Sequence, residues 1–331
     1  MAVHMGYIGS AQISSVQASI PATPIFLTGS SINPVQNLNA PDIVQGQYVK
    51  HLWNYGPIEI GGNITGPVAS NHQSVFDAAW YRYGVTESSG VATSTNPTDG
   101  DHMNAEDIVL EISYYRSSGR KFNRCAINSY EVSVMAGDVA NFTVDFMGAA
   151  VPLGSGVEGQ YGASYNYPAS CLKLVTWDRC SFGLTPLPTF GTDAFEVQAF
   201  TFTVNNNIQR IYKIDTSGNP QDKLYPLELV AGFRDLTGSV TVFAEGGAPE
   251  NLYAVWDDTT AGFGAEAYDT YDPTTGNNFS VNMLVGAGGG FVTPIIDQTF
   301  KIFFRRPEAS SRTDVQVYTL NYQALCTPSF S

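Results

Sequence analysis

Basic residues are scarce in this chain. Only 16 Lys and Arg stand against 30 Asp and Glu, for a net charge of −14. Gripping nucleic acid needs Lys and Arg against phosphates, so this balance excludes a nucleic-acid-binding surface. It leaves room for a wall past which phosphates slide without sticking. Charge of either sign is also low. The four charged types make up 14% of residues, against roughly 25% in soluble domains. An outside so thin in charge suits contact between subunits. The bland alternative is a stable β protein with a Ser/Thr/Asn surface.

Long apolar runs are missing as well. None approaches the ~18 residues of a membrane span. The opening stretch MAVHMGYIGSAQISS lacks the basic and apolar regions of a secretory leader. Four scattered cysteines, Cys125, Cys171, Cys180 and Cys326, form no Cys-x-x-Cys pair. That pattern predicts reduced thiols rather than a disulfide scaffold. Four histidines, His4, His51, His72 and His102, have no partner at ligand spacing. No His-Glu-x-x-His or Gly-x-Ser-x-Gly occurs, so neither an enzyme nor a bound metal or cofactor is expected.

Three weaker clusters carry residue types suited to chemistry. Asp99, Asp101, Asn104, Glu106 and Asp107 offer oxygen ligands for Ca²⁺ but lack the full EF-hand register; a solvated acidic loop is the better reading. Asp257, Asp258, Asp269 and Asp272 could supply paired carboxylates for glycoside hydrolysis, but acids scattered in a glycine-rich loop seldom do so. The glycines of 286–290 open no helix and precede no Lys-Ser/Thr, so they read as loop rather than phosphate cradle.

What the chain does have is strands. At 331 residues it can bury roughly three quarters of its unfolded surface. In NSYEVSVMAGDVANFTVDFMG (Asn128–Gly148), Tyr130, Val132 and Val134 alternate with Ser129, Glu131 and Ser133. After the Ala-Gly-Asp turn, Ala140, Phe142, Val144 and Phe146 alternate with Asn141, Thr143 and Asp145. Such alternation marks strands buried on one face only. A second strand-turn-strand is expected over Glu196–Ile214, with Phe200, Phe202 and Val204 against Thr201 and Thr203. Leu224–Ala244 reads as two strands around Gly232, with Leu236, Val240 and Val242 against Thr237, Ser239 and Thr241.

The pass along the rest predicts an irregular arm over 1–50, without a core of its own, that docks on a neighbour. A strand over Ile58–Ile64 should break at Gly61-Gly62. A helix over Gln73–Tyr83 has Val75, Phe76, Ala79, Trp80 and Tyr83 on one face, with Ser74 as cap. Residues 86–104 read as loop, and Ile108–Tyr115 as strand. Residues 246–299 form a Gly/Asp-rich excursion with weak strands at Leu252–Trp256 and Phe279–Leu284. A last hairpin joins Phe300–Phe304 to Val315–Leu325. About ten to twelve strands and one short helix predict a mainly β fold, a β-barrel or sandwich with a flanking helix.

Three blocks carry a resemblance. They are IEIGGNITGPV with VFDAAWYRYG; RCAINSYEVSVMAGDVANFTVDFMG; and FEVQAFTFTVNNNIQRIYKI with LELVAGFRDLTGSVTVFAEG. In this order, over roughly 55–330, the chain resembles the tail tube proteins of tailed bacteriophages. The N-terminal 50 residues and the 246–299 excursion depart from that pattern. The resemblance implies a tail-tube-type β domain over 51–331. Its subunits would close into rings, usually hexameric, that stack into a hollow tube conducting genome DNA at infection. The polar strand faces would then line the lumen: Glu131, Ser133, Asn141, Thr143, Asp145, Thr201, Thr203, Thr237, Ser239 and Thr241. The implied partners are further copies of the chain, then sheath, baseplate and tail terminator proteins. DNA would pass without specific binding, no membrane is involved, and the protein would be made in the host bacterial cytoplasm for the virion. The competing readings are another virion β component, such as a baseplate or decoration protein, or a carbohydrate-active or Ca²⁺-binding β-sandwich.

Overall fold

The computed structural model describes residues 10–15, 23–39, 54–80, 108–115, 118–150, 173–185, 196–214, 224–230, 232, 234–244, 279–286, 295–304, 308–309 and 316–325. Outside them lie the acidic cluster Asp99–Asp107, the loop at 86–104, the strand expected at Leu252–Trp256, Asp257, Asp258, Asp269 and Asp272, and most of the 246–299 excursion.

The described elements run β1 (Ser10–Ser15), β2 (Thr23–Ile25), β3 (Gly29–Ser30), β4 (Asn33–Asn39), β5 (Asn54–Pro67), α1 (Gln73–Trp80), β6 (Ile108–Tyr115), β7 (Ser118–Met135) and β8 (Asn141–Ala150). They continue with β9 (Cys180–Thr185), β10 (Glu196–Asn205), β11 (Gln209–Ile211), β12 (Glu228–Val230), β13 (Asp235–Ala244), β14 (Phe279–Val285), β15 (Ile296–Phe304), β16 (Glu308–Ala309) and β17 (Gln316–Leu325). The fold is mainly β and antiparallel, with one α-helix among the described residues. Short added strands raise the number above the ten to twelve that alternation alone suggests. Two- and three-residue strands such as β3 and β12 are too brief to show a period.

The long strand β7 organises the sheet. One edge pairs with β8. The other pairs with β6 through residues 118–125 and with β10 through 129–135. The changeover falls where Arg124 takes φ 54° and the register slips between Ile127 and Ser129. Such a bulge re-aims a strand and increases its twist.

From β10 the pairing continues through β13, β17, β15 and β14 to β9, while β8 leads to β5. The chain just before β9 returns beside β5 and β8. Ala69 bridges Leu174, Val139 bridges Thr176, and the Val175 N–H donates to the Val68 carbonyl at 2.9 Å. The sheet thus comes back onto itself as a barrel, which removes open edges along that circuit. Tyr130, Val132, Phe142, Val144, Phe202 and Val204 fill the inside. Phe182 of β9 reaches across to Phe200 at 5.5 Å and Tyr322 at 6.0 Å between ring centroids.

The helix α1 seals this core with Val75, Phe76, Ala78 and Ala79. Its first turn is closed by the His72 carbonyl, which accepts from the Val75 and Phe76 N–H groups. Ser74 therefore lies inside the first turn and is not the cap. Residues 81–83 of the expected helix lie outside the described residues. No described helix is long and apolar enough to cross a membrane.

Two further expectations are corrected. The irregular arm at 1–50 gives way, where it is described, to strands paired within the chain. β1 joins β6, and β3 and β4 join β5. Ala11, Ile13, Ile25 and Ile32 are buried in the main core. These apolar residues are sparse in sequence because each contributes to a core that other strands supply. The break at Gly61-Gly62 does not occur, for β5 runs unbroken across both glycines with partners on each side. Gly62 adopts φ 141°, and a Cβ there would lie 2.6 Å from the Ser31 carbonyl oxygen. The glycine lets β5 and its neighbour approach; it does not bend the strand.

Candidate functional site

The face of β8, β7, β10 and β13 opposite the core is continuous and polar. Antiparallel register puts directly paired residues on the same face. One row crosses Thr143, Glu131, Thr203 and Thr237. The next crosses Asn141, Ser133, Thr201 and Ser239. A third passes from Asp145 through Ser129 and Asn205 to Asp235. Thr241 lies two residues beyond Ser239 on the same face. All ten residues singled out from alternation thus share one face of four adjacent strands, and each is exposed or half-buried. Their intervening neighbours, such as Val132, Val144, Phe202 and Val240, are buried.

Register also adds what single strands could not. Asn63 and Thr65 extend the face onto β5, opposite Asp145 and Thr143. Asn321 extends it onto β17, opposite Ser239. Asn205 and Asp235 complete the third row with Ser129, which alternation along β7 already places on this face. Only the pairing partners reveal Asn63, Thr65, Asn205, Asp235 and Asn321.

The side chains on this face hold one another. The Thr201 and Ser239 hydroxyls are 2.9 Å apart, and the Ser239 N–H donates to Thr201 Oγ1 at 3.1 Å. Thr203 Oγ1 donates to Glu131 Oε2 at 3.4 Å. Asn128 Nδ2 donates to Asp145 Oδ2 at 3.0 Å. No Lys or Arg occurs in 129–135, 141–147, 197–205 or 235–243, so the charge on these four stretches comes from Glu131, Asp145 and Asp235. Hydroxyls and amides tied to each other leave no nucleophile paired with a base. Among the described residues no group of three or more His, Cys, Asp or Glu side chains could hold a metal ion. What the face can do is present hydroxyls, amides and negative charge to whatever passes it.

The end of the face beyond Asn205 is covered. The second strand-turn-strand expected over Glu196–Ile214 is not a hairpin. After β10 the chain leaves the sheet at Asn206, Asn207 turns it with φ 49°, and β11 pairs with β12 as a separate two-stranded unit. Leu229 of that unit packs with Ala126 and Ile208 against Met147. Arg210 fastens it, donating through Nη2 to the Ile60 carbonyl at 2.8 Å and facing Glu59 at 3.8 Å. Arg124 Nη2 donates to the Leu227 carbonyl. The apolar residues of β11 and β12 cap one end of the polar face, which is why they do not pair back onto β10.

Among the described residues, burial disfavours the thiolate at both cysteines. Cys125 is buried and Cys180 half-buried, neither in a disulfide, and burial pushes them up to about 12 and about 11. Cys171 and Cys326 lie outside the described residues.

The model of one protein family, described as phage tail tube protein, matches residues 54–324. No curated protein matches the chain.

Proposed function

Because that match spans most of its length, the chain belongs to the phage tail tube protein family, and on that premise we propose that the polar face of β8, β7, β10 and β13 lines the bore of the tube. The protein is a structural subunit of the virion tail, and its family implies stacked homo-oligomeric assembly. The finer reading is ours. Rings, hexameric in this proposal, enclose a net-negative channel through which genome DNA leaves. Sheath, baseplate and terminator proteins meet the outer wall and the ends.

One observation carries the reading: a four-strand face whose three cross-strand rows present hydroxyls, amides and carboxylates, with no base among them. Phosphates approaching such a wall meet repulsion and no fork of donors to hold them. The interlocked hydroxyls are already satisfied by each other, so they offer passing DNA little in exchange for its water. Negative-stain microscopy of the purified protein tests this. Rings or hollow filaments are expected; compact monomers at high concentration, even with tail initiator present, would contradict it.

A further inference from the structure

We propose that the β11–β12 ribbon is a hinged flap, seated on the end of the polar face and able to lift from it as a unit. Its place on the bore side of the wall rests on the tube-subunit reading; its hinge does not. The seat belongs to the face itself. Met147 follows Asp145 by two residues on β8, so the row after Asp145 and Ser129 crosses Gly61, Met147 and Ala126. Ala126 lies on the polar side of β7 and is nevertheless fully buried, because Leu229 covers it.

The ribbon fits that row. Arg210 and Leu229 are paired across it and form its inner side. Leu229 packs with Ala126 and Ile208 against Met147. The Arg210 guanidinium lies over Gly61, where a Cβ would come within 3.2 Å of Nη2. The other side of the ribbon, with Gln209, Ile211, Glu228 and Val230, is exposed. The buried residues beneath it form a cluster apart from the main core. A two-stranded ribbon is marginal by itself, and an element with little buried apolar contact opens more readily than the fold as a whole. Closure also carries a penalty. Arg210 Nε is buried and meets no acceptor in the protein, a donor that water would satisfy once the ribbon lifts.

The hinge is built at one point. The chain leaves β10 through Asn206 and Asn207 and comes back to β13 through Gly232 and Arg234. The Gly232 N–H donates to the Asn206 carbonyl at 3.0 Å, Arg234 Nε to Asn206 Oδ1 at 3.0 Å, and Asn207 Nδ2 to Asp235 Oδ2 at 2.8 Å. The two legs of the ribbon are thus pinned to each other and to the main sheet. They touch closely enough that a Cβ on Gly232 would lie 2.9 Å from the Asn207 carbonyl oxygen. Beyond this clasp, β11 and β12 pair with each other and with no other described strand, so the ribbon lifts without unpairing the barrel. Arg210 Nη2 on the Ile60 carbonyl and Arg124 Nη2 on the Leu227 carbonyl are its latches. Flat on its seat, the flap leaves the channel wide. Lifted, it projects from the wall into the bore and narrows it, which makes it a gate.

Native-state hydrogen exchange on the separate full-length subunit reads the hinge. The Leu227 N–H, bonded to the Ile211 carbonyl at 2.7 Å, and the paired amides of β11 and β12 should exchange together, at least a hundredfold faster than those of β10 and β13. Leu229→Ala and Arg210→Met should each raise that rate at least tenfold and leave β10 and β13 as they are. Ribbon amides that exchange only in step with β10 and β13, at the same rate, would overturn the flap. Virions read the gate. Leu229→Ala leaves every charge in place and should slow DNA ejection at least twofold by raising the lifted population; ejection at the parental rate would overturn the gate. The tube reading fails separately, by the absence of rings in the microscope, and a ribbon that still opens on its own in such a protein supports the hinge.

Discussion

His72 shows how burial decides chemistry at the scale of one residue. Its ring lies 4.2 Å from Phe142 and 5.7 Å from Tyr130 between centroids, and burial lowers its pKa from 6.5 to about 3. The folded subunit therefore keeps the imidazole neutral where the unfolded chain takes up a proton. Stability conferred by this site is present above pH 6.5 and is lost as pH falls from 6.5 toward 3. Between pH 7 and 5 the loss should be on the order of 2 kcal/mol. Urea unfolding of the subunit at a series of pH values checks this, and His72→Phe should flatten that part of the slope whatever its effect at pH 7. Gly238 is a second such residue. Tyr322 lies across it to donate to the Thr201 carbonyl at 2.8 Å, and a Cβ on Gly238 would run into both the Tyr322 hydroxyl and that carbonyl oxygen. Tyr322→Phe should cost about 1 kcal/mol, one hydrogen bond. Gly238→Ala should cost about 3 kcal/mol as an overpacked site. Removing the Tyr322 hydroxyl in the same chain should not rescue it, because the carbonyl remains. Thermal melts of the three variants decide the matter.

At the scale of elements, one buried amide ties α1 and β7 to the connection between β12 and β13. Asn206 Nδ2 donates to the carbonyls of Ala79 in α1 and Ile127 in β7, each at 2.9 Å. Its Oδ1 accepts from Arg234 Nε at 3.0 Å, and its own carbonyl accepts from the Gly232 N–H at 3.0 Å. The Val-Asn-Asn-Asn and Gly-x-Arg stretches, separate in sequence, thus meet at one point. Asn207 adds a bond to Asp235 at 2.8 Å. Asn206→Ala removes this partner from two buried carbonyls and from a half-buried guanidinium. A loss of about 3 kcal/mol is expected. Faster hydrogen exchange in α1 and at the β7 bulge than in β13 would show that the loss is local to the clasp; uniform exchange across the sheet would contradict it.

At the scale of the molecule, the test is charge on the bore. Glu131→Lys with Asp145→Lys reverses two of the three acids on the polar face while leaving every core residue in place. Both side chains are on the solvent side of their strands, so assembly should survive. DNA ejection from virions carrying the variant should slow, and more so at low salt, because the added attraction to phosphate is screened as ionic strength rises. Ejection at the parental rate would remove those residues from the lumen and leave the fold untouched.

The alternation of Tyr130, Val132 and Val134 with Glu131 and Ser133 was sufficient by itself to orient β7, because a strand has a period of two whatever its neighbours. The same holds for Phe142 to Phe146, Phe200 to Val204 and Leu236 to Val242. That was enough to name both faces of the barrel wall, and the ordered blocks within 54–324 carried the family. What neighbours decide was not legible. Asn63, Asn205 and Asp235 joined the polar face only through cross-strand register. β11 and β12 left the main sheet because a bulge at Asn128 exposed Ala126 and Met147 for Leu229 to cover. The glycines of β5 looked like a break because their purpose, room for Ser31, lies some thirty residues away in sequence. Local periodicity is a property of the chain, fixed by backbone geometry; pairing, capping and close approach are contacts between distant segments, and only the folded structure sets them.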